Sequence, residues 1–169
     1  VGHEQVRVLD GGLAKWQREG RPVTAELPRF EPGSYPGKAK ASMHASLAVV
    51  EKKLKRAALI DSRAPARYRG ESEPIDPVAG RIPGAKNRFN NDNLSAEGVF
   101  KSPESLRADF EAVLAGRTPG EVIHYCGSGV AACHNALAME IAGLAGSRVY
   151  IGSWSEWSAD PARPISRSA

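Results

Sequence analysis

The chain has 169 residues, 41% hydrophobic and 25% charged, which suits a globular protein with one good domain and something extra. No apolar run approaches the ~20 residues a membrane span needs and no signal-peptide pattern opens the chain, so no membrane partner is expected and the cytoplasm is the expected compartment. The formal charge of +4 suits a small anionic substrate, and no basic stripe interleaved with aromatics marks a nucleic-acid surface.

The first 22 residues hold "VRVLDGGLAKWQREGRP" (Val6 to Pro22), which aligns with "RVYIGSWSEWSADPARP" (Arg148 to Pro164). Val8 falls on Val149, Gly11 on Gly152 and Trp16 on Trp157, at one constant spacing. An internal repeat of this kind implies two copies of one fold. Residues 1–22 are therefore expected to be the tail of a preceding, truncated domain. Residues 23–35 lie in a Pro- and Gly-rich stretch without a period and are expected to be a linker. Residues 36–169 are expected to form the main domain.

Within that domain the elements alternate. "KAKASM" (Lys38 to Met43) is expected as a short edge strand, and Ala45 to Lys55 as a helix whose "EKKLKR" run is its solvated face. "AALID" (Ala57 to Asp61) reads as an apolar strand, "AKNRF" (Ala85 to Phe89) as a weak one, and "EVIHY" (Glu121 to Tyr125) as a third. Ser102-Pro103 starts a helix running to about Ala115, with Ser as N-cap and Pro at the first helical position. A further helix is predicted from about Ala131 to Leu144, and "RVYI" (Arg148 to Ile151) closes the series as a strand. Strands alternating with helices imply an α/β fold with a mostly parallel sheet covered on both faces.

The chemistry concentrates in "HYCGSGVAAC" (His124 to Cys133). Cys126 stands at the carboxyl end of a strand, where such sheets bind ligands. Gly127 and Gly129 permit backbone conformations closed to other residues, so several N–H groups can turn inward as a nest for negative charge. The following helix points its positive end at the same place, and Ser128 can donate a hydrogen bond to the sulfur. Together these features favour a thiolate nucleophile at Cys126. Val130, Cys133, Leu137, Ile141 and Leu144 share one helix face, which predicts Cys133 as a core residue. With two cysteines seven positions apart, reduced thiols are expected rather than a disulfide framework. No Gly-Lys-Ser/Thr phosphate loop is present. A cysteine phosphatase would need an arginine at the position Ala132 occupies, so phosphate would lack its main charge partner. His124 and His134 lack metal-ligand spacing, and no metal site is expected.

These motifs resemble those of the rhodanese-like sulfurtransferases, especially the thiosulfate and 3-mercaptopyruvate sulfurtransferase branch. "CGSGVAAC" is similar to the family's active-site loop, "GRIPGA" (Gly80 to Ala85) and "VYIGSWSEW" (Val149 to Trp157) to its two signatures, and "LIDSRAPARYRGESEP" (Leu59 to Pro74) to its central segment. The resemblance covers about Pro36 to Ala169, and residues 1–22 resemble the end of the inactive first domain of tandem members. It implies a rhodanese-like three-layer fold. It also implies transfer of sulfane sulfur from an anionic donor to cyanide, a thiol or a thioredoxin-like acceptor through a persulfide on Cys126, with no cofactor. A non-catalytic binding module is the alternative. The loop Cys126, Gly127, Ser128, Gly129, Val130 and Ala131 would cradle the persulfide. Arg67 would bind the donor's carboxylate or sulfonate, with Arg69 and Arg81 as further candidates. Asp61 and Arg63 are expected to be structural. Two positions depart from the pattern: Ile75 follows Glu73-Pro74 where mercaptopyruvate enzymes often carry a second arginine, and Arg81 replaces a histidine. The uncharged loop after Cys126, by contrast, favours mercaptopyruvate over a dianion. In tandem members a first domain closes over the site, and that domain is the expected missing partner.

Overall fold

The computed structural model describes residues 5–38, 40–54 and 56–168. Four strands form one sheet in the order β2-β1-β3-β4, with β1 at Ala58–Asp61, β2 at Lys86–Asn87, β3 at Val122–Tyr125 and β4 at Arg148–Val149. Every pairing is parallel. The helices are α1 (Gly12–Arg18), α2 (Leu47–Lys53), α3 (Pro65–Arg69), α4 (Pro103–Leu114), α5 (Val130–Ile141) and α6 (Ser153–Ser158).

The period of two along a strand divides the core between the two sheet faces. Leu59, Ile123 and Tyr125 pack with Val50 of α2 and with Trp154 and Trp157 of α6. Ile60 and Val122 point the other way and pack with Leu106 and Phe110 of α4 and with Ala138 and Met139 of α5. His124 lies on that second side, fully buried, with Nε2 3.2 Å from the Met139 sulfur and its ring edge-on to Phe110. Burial lowers its pKa to about 3, so it is a neutral core residue.

Local sequence chemistry sets most boundaries. Ser102 caps α4 by accepting the Ser105 N–H at 3.2 Å, Pro103 holds the first helical position, and Ala115 ends the helix in the left-handed region. The expected edge strand at Lys38 to Met43 is not formed. Ala41–Met43 is a single 3-10 turn, and the chain joins the sheet just after it, through a parallel bridge of His44 to Val149 and the Ala45 N–H bonded to the Val149 carbonyl at 3.0 Å. Ala39 of that stretch, Lys55 of the expected α2 range, and the terminal residues 1–4 and 169 lie outside the described residues. The Glu51–Lys53 face of α2 is exposed, as its charge run implies.

Residues 5–22 carry α1, and residues 23–35 are exposed and contain no helix or strand. Asp10 Oδ1 accepts the Phe100 N–H at 3.0 Å, and Arg18 donates to the Glu97 carbonyl at 2.7 Å. The indole N–H of Trp16 donates to the Pro22 carbonyl at 2.8 Å. Trp157 donates in the same way to Pro164 at 3.0 Å, so α1 and α6 are closed by one recurring device.

Candidate active site

β3 ends at Tyr125, and the chain turns through Cys126, Gly127, Ser128 and Gly129 into α5. Cys126 is 4% exposed and forms the floor of a cavity of about 360 Å³. Arg63, Arg67, Ile75, Phe89, Asn90 and Ser155 stand around it, with Gly127, Ser128, Val130 and Ala131 of the loop completing the wall. The thiol accepts the Gly129 N–H at 3.1 Å. That N–H, rather than the Ser128 hydroxyl, is the group that reaches the sulfur.

The two glycines have different jobs. Gly129 takes φ +87°, and a Cβ there would sit 2.8 Å from the Ile151 carbonyl oxygen. Both the left-handed backbone and the clash exclude a side chain. Gly127 has no such φ, and a Cβ there would meet the Arg67 guanidinium at 3.4 Å, an ordinary contact. Gly129→Ala is therefore expected to destabilise the fold by about 2 kcal/mol or more, while Gly127→Ala costs well under half of that. Urea unfolding of both variants checks the difference.

The loop is held from behind by the segment 150–155. Ser153, at φ 53°, accepts the Cys126 N–H at 3.1 Å and donates to the Tyr150 carbonyl at 2.8 Å. The N–H groups of Trp154 and Ser155 donate to the carbonyls of Cys126 and Gly127, each at 3.0 Å. A left-handed conformation at a buried serine is strained and persists where the surroundings over-determine it. Here it aims one hydroxyl at the backbone of Cys126. Trp154 is fully buried, donates to the Val78 carbonyl and stacks against the Arg63 guanidinium at 4.8 Å.

Arg67 projects from α3 and is gripped by two carboxylates. Its Nε and Nη2 donate to Glu73 at 3.1 and 2.5 Å, and Nη2 lies 3.3 Å from Asp76. Glu73 also accepts from Arg63 Nη1 at 3.1 Å, and Arg63 is bound through its other nitrogens to Asp61. Burial opposes ionisation of Glu73, but the Arg67 hydrogen bond and the N–H groups of Asp76 and Ile75 hold its carboxyl below the usual range. Its contribution to stability is present above the ordinary carboxylate pKa and is lost only as pH falls through the lowered one.

Two of the three arginines named as donor candidates are elsewhere. Arg69 is two residues beyond Arg67 on α3, and positions i and i+2 of a helix do not share a face. It is exposed and paired with Glu71 at 2.5 Å. Arg81 stacks on Tyr68 at 4.5 Å and bonds the Tyr68 carbonyl and Ser168 Oγ, so it clips the C-terminal segment against α3. Arg63, expected to be structural, is buried and paired, and it also reaches the cavity wall.

Cys133 is exposed, against the expectation of a core residue. The buried face of α5 is Ala132, Asn135, Ala138 and Met139. Small side chains there let the helix lie close to the sheet, and Asn135 is satisfied by Ser62, Arg88 and Asn93. The bulkier stripe is split: Val130 is 77% exposed, Leu137 and Ile141 line a shallow cleft with Val6 and Val8 of the N-terminal segment, and Leu144 is buried in the core. Partial burial and the charge of neighbouring Cys126 push the Cys133 thiol above its ordinary pKa. Among the described residues no group of three potential metal ligands is found.

Sequence reasoning did not single out Glu73, Asp76, Phe89, Asn90, Ser153 or Ser155 as site residues. Ser153 and Ser155 lie inside the "VYIGSWSEW" signature, which was the available signal.

A cysteine at the carboxyl end of a central parallel strand, sharing one cavity with a guanidinium held by two carboxylates, lies where an α/β sheet of this kind binds ligands. The family model for the Rhodanese-like domain matches residues 46–160. The chain belongs to the rhodanese-like family. It is 48% identical over 162 residues to a protein of Pseudomonas aeruginosa named "Probable 3-mercaptopyruvate sulfurtransferase", covering 95% of this chain and 57% of that one. It is 41% identical over 165 residues to the bovine (Bos taurus) "Thiosulfate sulfurtransferase", covering 92% of this chain and 54% of that one. The chain thus spans little more than half the length of these relatives. Among solved structures, an anaerobic ergothioneine biosynthesis enzyme from Chlorobium limicola superposes with a TM-score of 0.84 at 24% identity, over 98% of this chain and 42% of that one. That likeness is one of fold.

Proposed function

We propose that this chain carries the catalytic half of a sulfurtransferase that moves sulfane sulfur from thiosulfate or 3-mercaptopyruvate to a thiophilic acceptor. The observation that carries it is the Cys126 thiol at the floor of the cavity, 3.1 Å from the Gly129 N–H, with Arg67 on the facing wall. The names of the relatives point the same way. The thiolate of Cys126 attacks the transferable sulfur of the donor. In thiosulfate the S–S bond breaks and sulfite leaves with the electron pair. In mercaptopyruvate the C–S bond breaks and the carbon fragment takes the pair and a proton to become pyruvate. Cyanide or a thiolate, including one on a thioredoxin-like protein, then attacks the outer sulfur and returns Cys126 as thiolate. Loop N–H groups and the start of α5 stabilise negative charge on the outer sulfur throughout.

The shared tryptophan-to-proline closure of α1 and α6 supports reading residues 5–22 as the end of a second, related unit. In this proposal that unit covers the cavity mouth in the whole protein.

Intact mass after incubation with each donor tests the reading. A gain of about one sulfur atom (~32 Da), removed by cyanide, is the expected result. No gain with either donor, in this chain and in the whole protein, overturns it and leaves a binding module. Arg67→Ala is expected to lower kcat/KM for the donor by about 100-fold, the size of a lost charge-assisted hydrogen bond, mainly through KM. Steady-state kinetics with both donors checks it.

A further inference from the structure

We propose that Asp76 is a specificity-determining positioning residue, which with Glu73 makes the donor cavity a charge filter favouring singly charged sulfur donors over dianions. This rests on the sulfurtransferase reading of the same cavity.

Arg63 and Arg67 are the charged side chains on the cavity wall. Neither presents a free positive charge. Three carboxylates, those of Asp61, Glu73 and Asp76, pair with these two guanidinium groups, so the cluster has a net formal charge of −1. Glu73 and Asp76 are themselves nearly buried, with side chains 3% and 7% exposed, so solvent screens them weakly. Glu73 takes Nε and one edge of Nη2, and Asp76 stands beside Nη2. Arg67 Nη1 makes no hydrogen bond among the described residues and lies 3.5 Å from the point a Gly127 Cβ would occupy. It is the donor left to read an incoming anion.

Asp76 also ties this guanidinium to the cysteine loop. Its Oδ1 accepts the Ser155 hydroxyl at 2.6 Å, and Ser155 Oγ lies 2.9 Å from the Gly127 carbonyl. A carboxylate-bearing donor meets Nη1 with one charge, which the loop N–H groups and Arg67 offset. A second negative charge on the same donor meets the uncompensated carboxylate behind Arg67. Asp76 does not line the cavity, so it acts through Arg67 and through the local potential.

The test uses the whole chain as wild type, Asp76→Asn and Asp76→Glu. Asparagine keeps the acceptor for Ser155 and removes the charge. Glutamate restores the charge. Single-turnover persulfide formation is followed by mass with thiosulfate and with mercaptopyruvate separately. In Asp76→Asn the thiosulfate-to-mercaptopyruvate ratio of kcat/KM is expected to rise about tenfold, the order of one unit-charge interaction across roughly 10 Å near a protein surface, and to fall back in Asp76→Glu. Both rates falling together, with the ratio unchanged, would overturn the filter and leave Asp76 a structural tie. A second readout needs no sulfur transfer: the rate of Cys126 alkylation by iodoacetate relative to neutral iodoacetamide, read by peptide mass. That ratio is also expected to rise about tenfold in Asp76→Asn, and an unchanged ratio overturns the proposal. If neither this chain nor the whole protein forms a persulfide with either donor, the sulfurtransferase reading fails by itself and the alkylation ratio alone decides the filter.

Discussion

Cys126→Ser is expected to abolish persulfide formation with either donor and to lower kcat by roughly four orders of magnitude or more, because covalent transfer has no other route in this cavity. A serine hydroxyl is a poor nucleophile toward sulfur and has no neighbouring general base here; the cavity wall offers guanidinium, amide, hydroxyl and apolar groups. The fold should barely respond. Cys126 accepts one N–H, from Gly129, and a serine oxygen can accept it too. Denaturation midpoints of the two proteins should agree within about 1 kcal/mol of stability, since the volume changes little. Cys133→Ser is the matched control. Its thiol is exposed on α5 outside the cavity lining, so the mass gain should survive. A persulfide that persisted in Cys126→Ser and vanished in Cys133→Ser would move the nucleophile into the first turn of α5 and refute the assignment.

Trp154→Ala is expected to cost about 3–5 kcal/mol of stability, the range for deleting a large buried aromatic. Three losses add up. The ring is fully buried among Leu59, Ile82 and Tyr125. Its N–H bond to the Val78 carbonyl disappears and leaves that acceptor unpaired. The Arg63 guanidinium loses the ring it lies against. The site should suffer as well, since the backbone N–H of residue 154 holds the Cys126 carbonyl and Arg63 anchors Glu73. Trp157→Ala removes an equally buried ring whose N–H bonds Pro164 rather than Val78. Chemical denaturation together with persulfide rates separates the effects: similar losses of stability in the two variants, with a larger loss of rate in Trp154→Ala. Equal loss of rate would show that Trp154 acts through global stability alone.

Much of the architecture was legible because it depends on local pattern. Apolar runs at Leu59–Ile60 and Val122–Tyr125, bounded by turn residues, became the two central strands. The Ser102-Pro103 pair became a capped helix start. No edge strand forms at Lys38 to Met43 because those residues have no strong strand preference, and the chain pairs with β4 just beyond them, at His44 and Ala45. In α5 two faces compete, one with Val130, Cys133 and Leu137, the other with Ala132, Asn135 and Ala138. Periodicity ranks the bulkier face first. The sheet selects the smaller one, because it permits close approach and because Asn135 finds hydrogen-bond partners on Ser62 and Arg88.

Legible from residues alone were the loop that carries Cys126, the glycine that shapes it, the order of the central strands and long helices, and the family. Each of these is written in contiguous residues whose backbone preferences act over a turn or two. Long-range packing alone puts Arg67, and not Arg69, in one cavity with the thiol and sets what surrounds them. Arg67 and Arg69 are chemically identical and two positions apart, and a single helical turn sends them to opposite sides. Asp76 meets Ser155 across 79 positions of sequence, and Glu73 joins Arg63 to Arg67 in a cavity wall. Ion pairing of that kind depends on distance and burial, which no local pattern encodes.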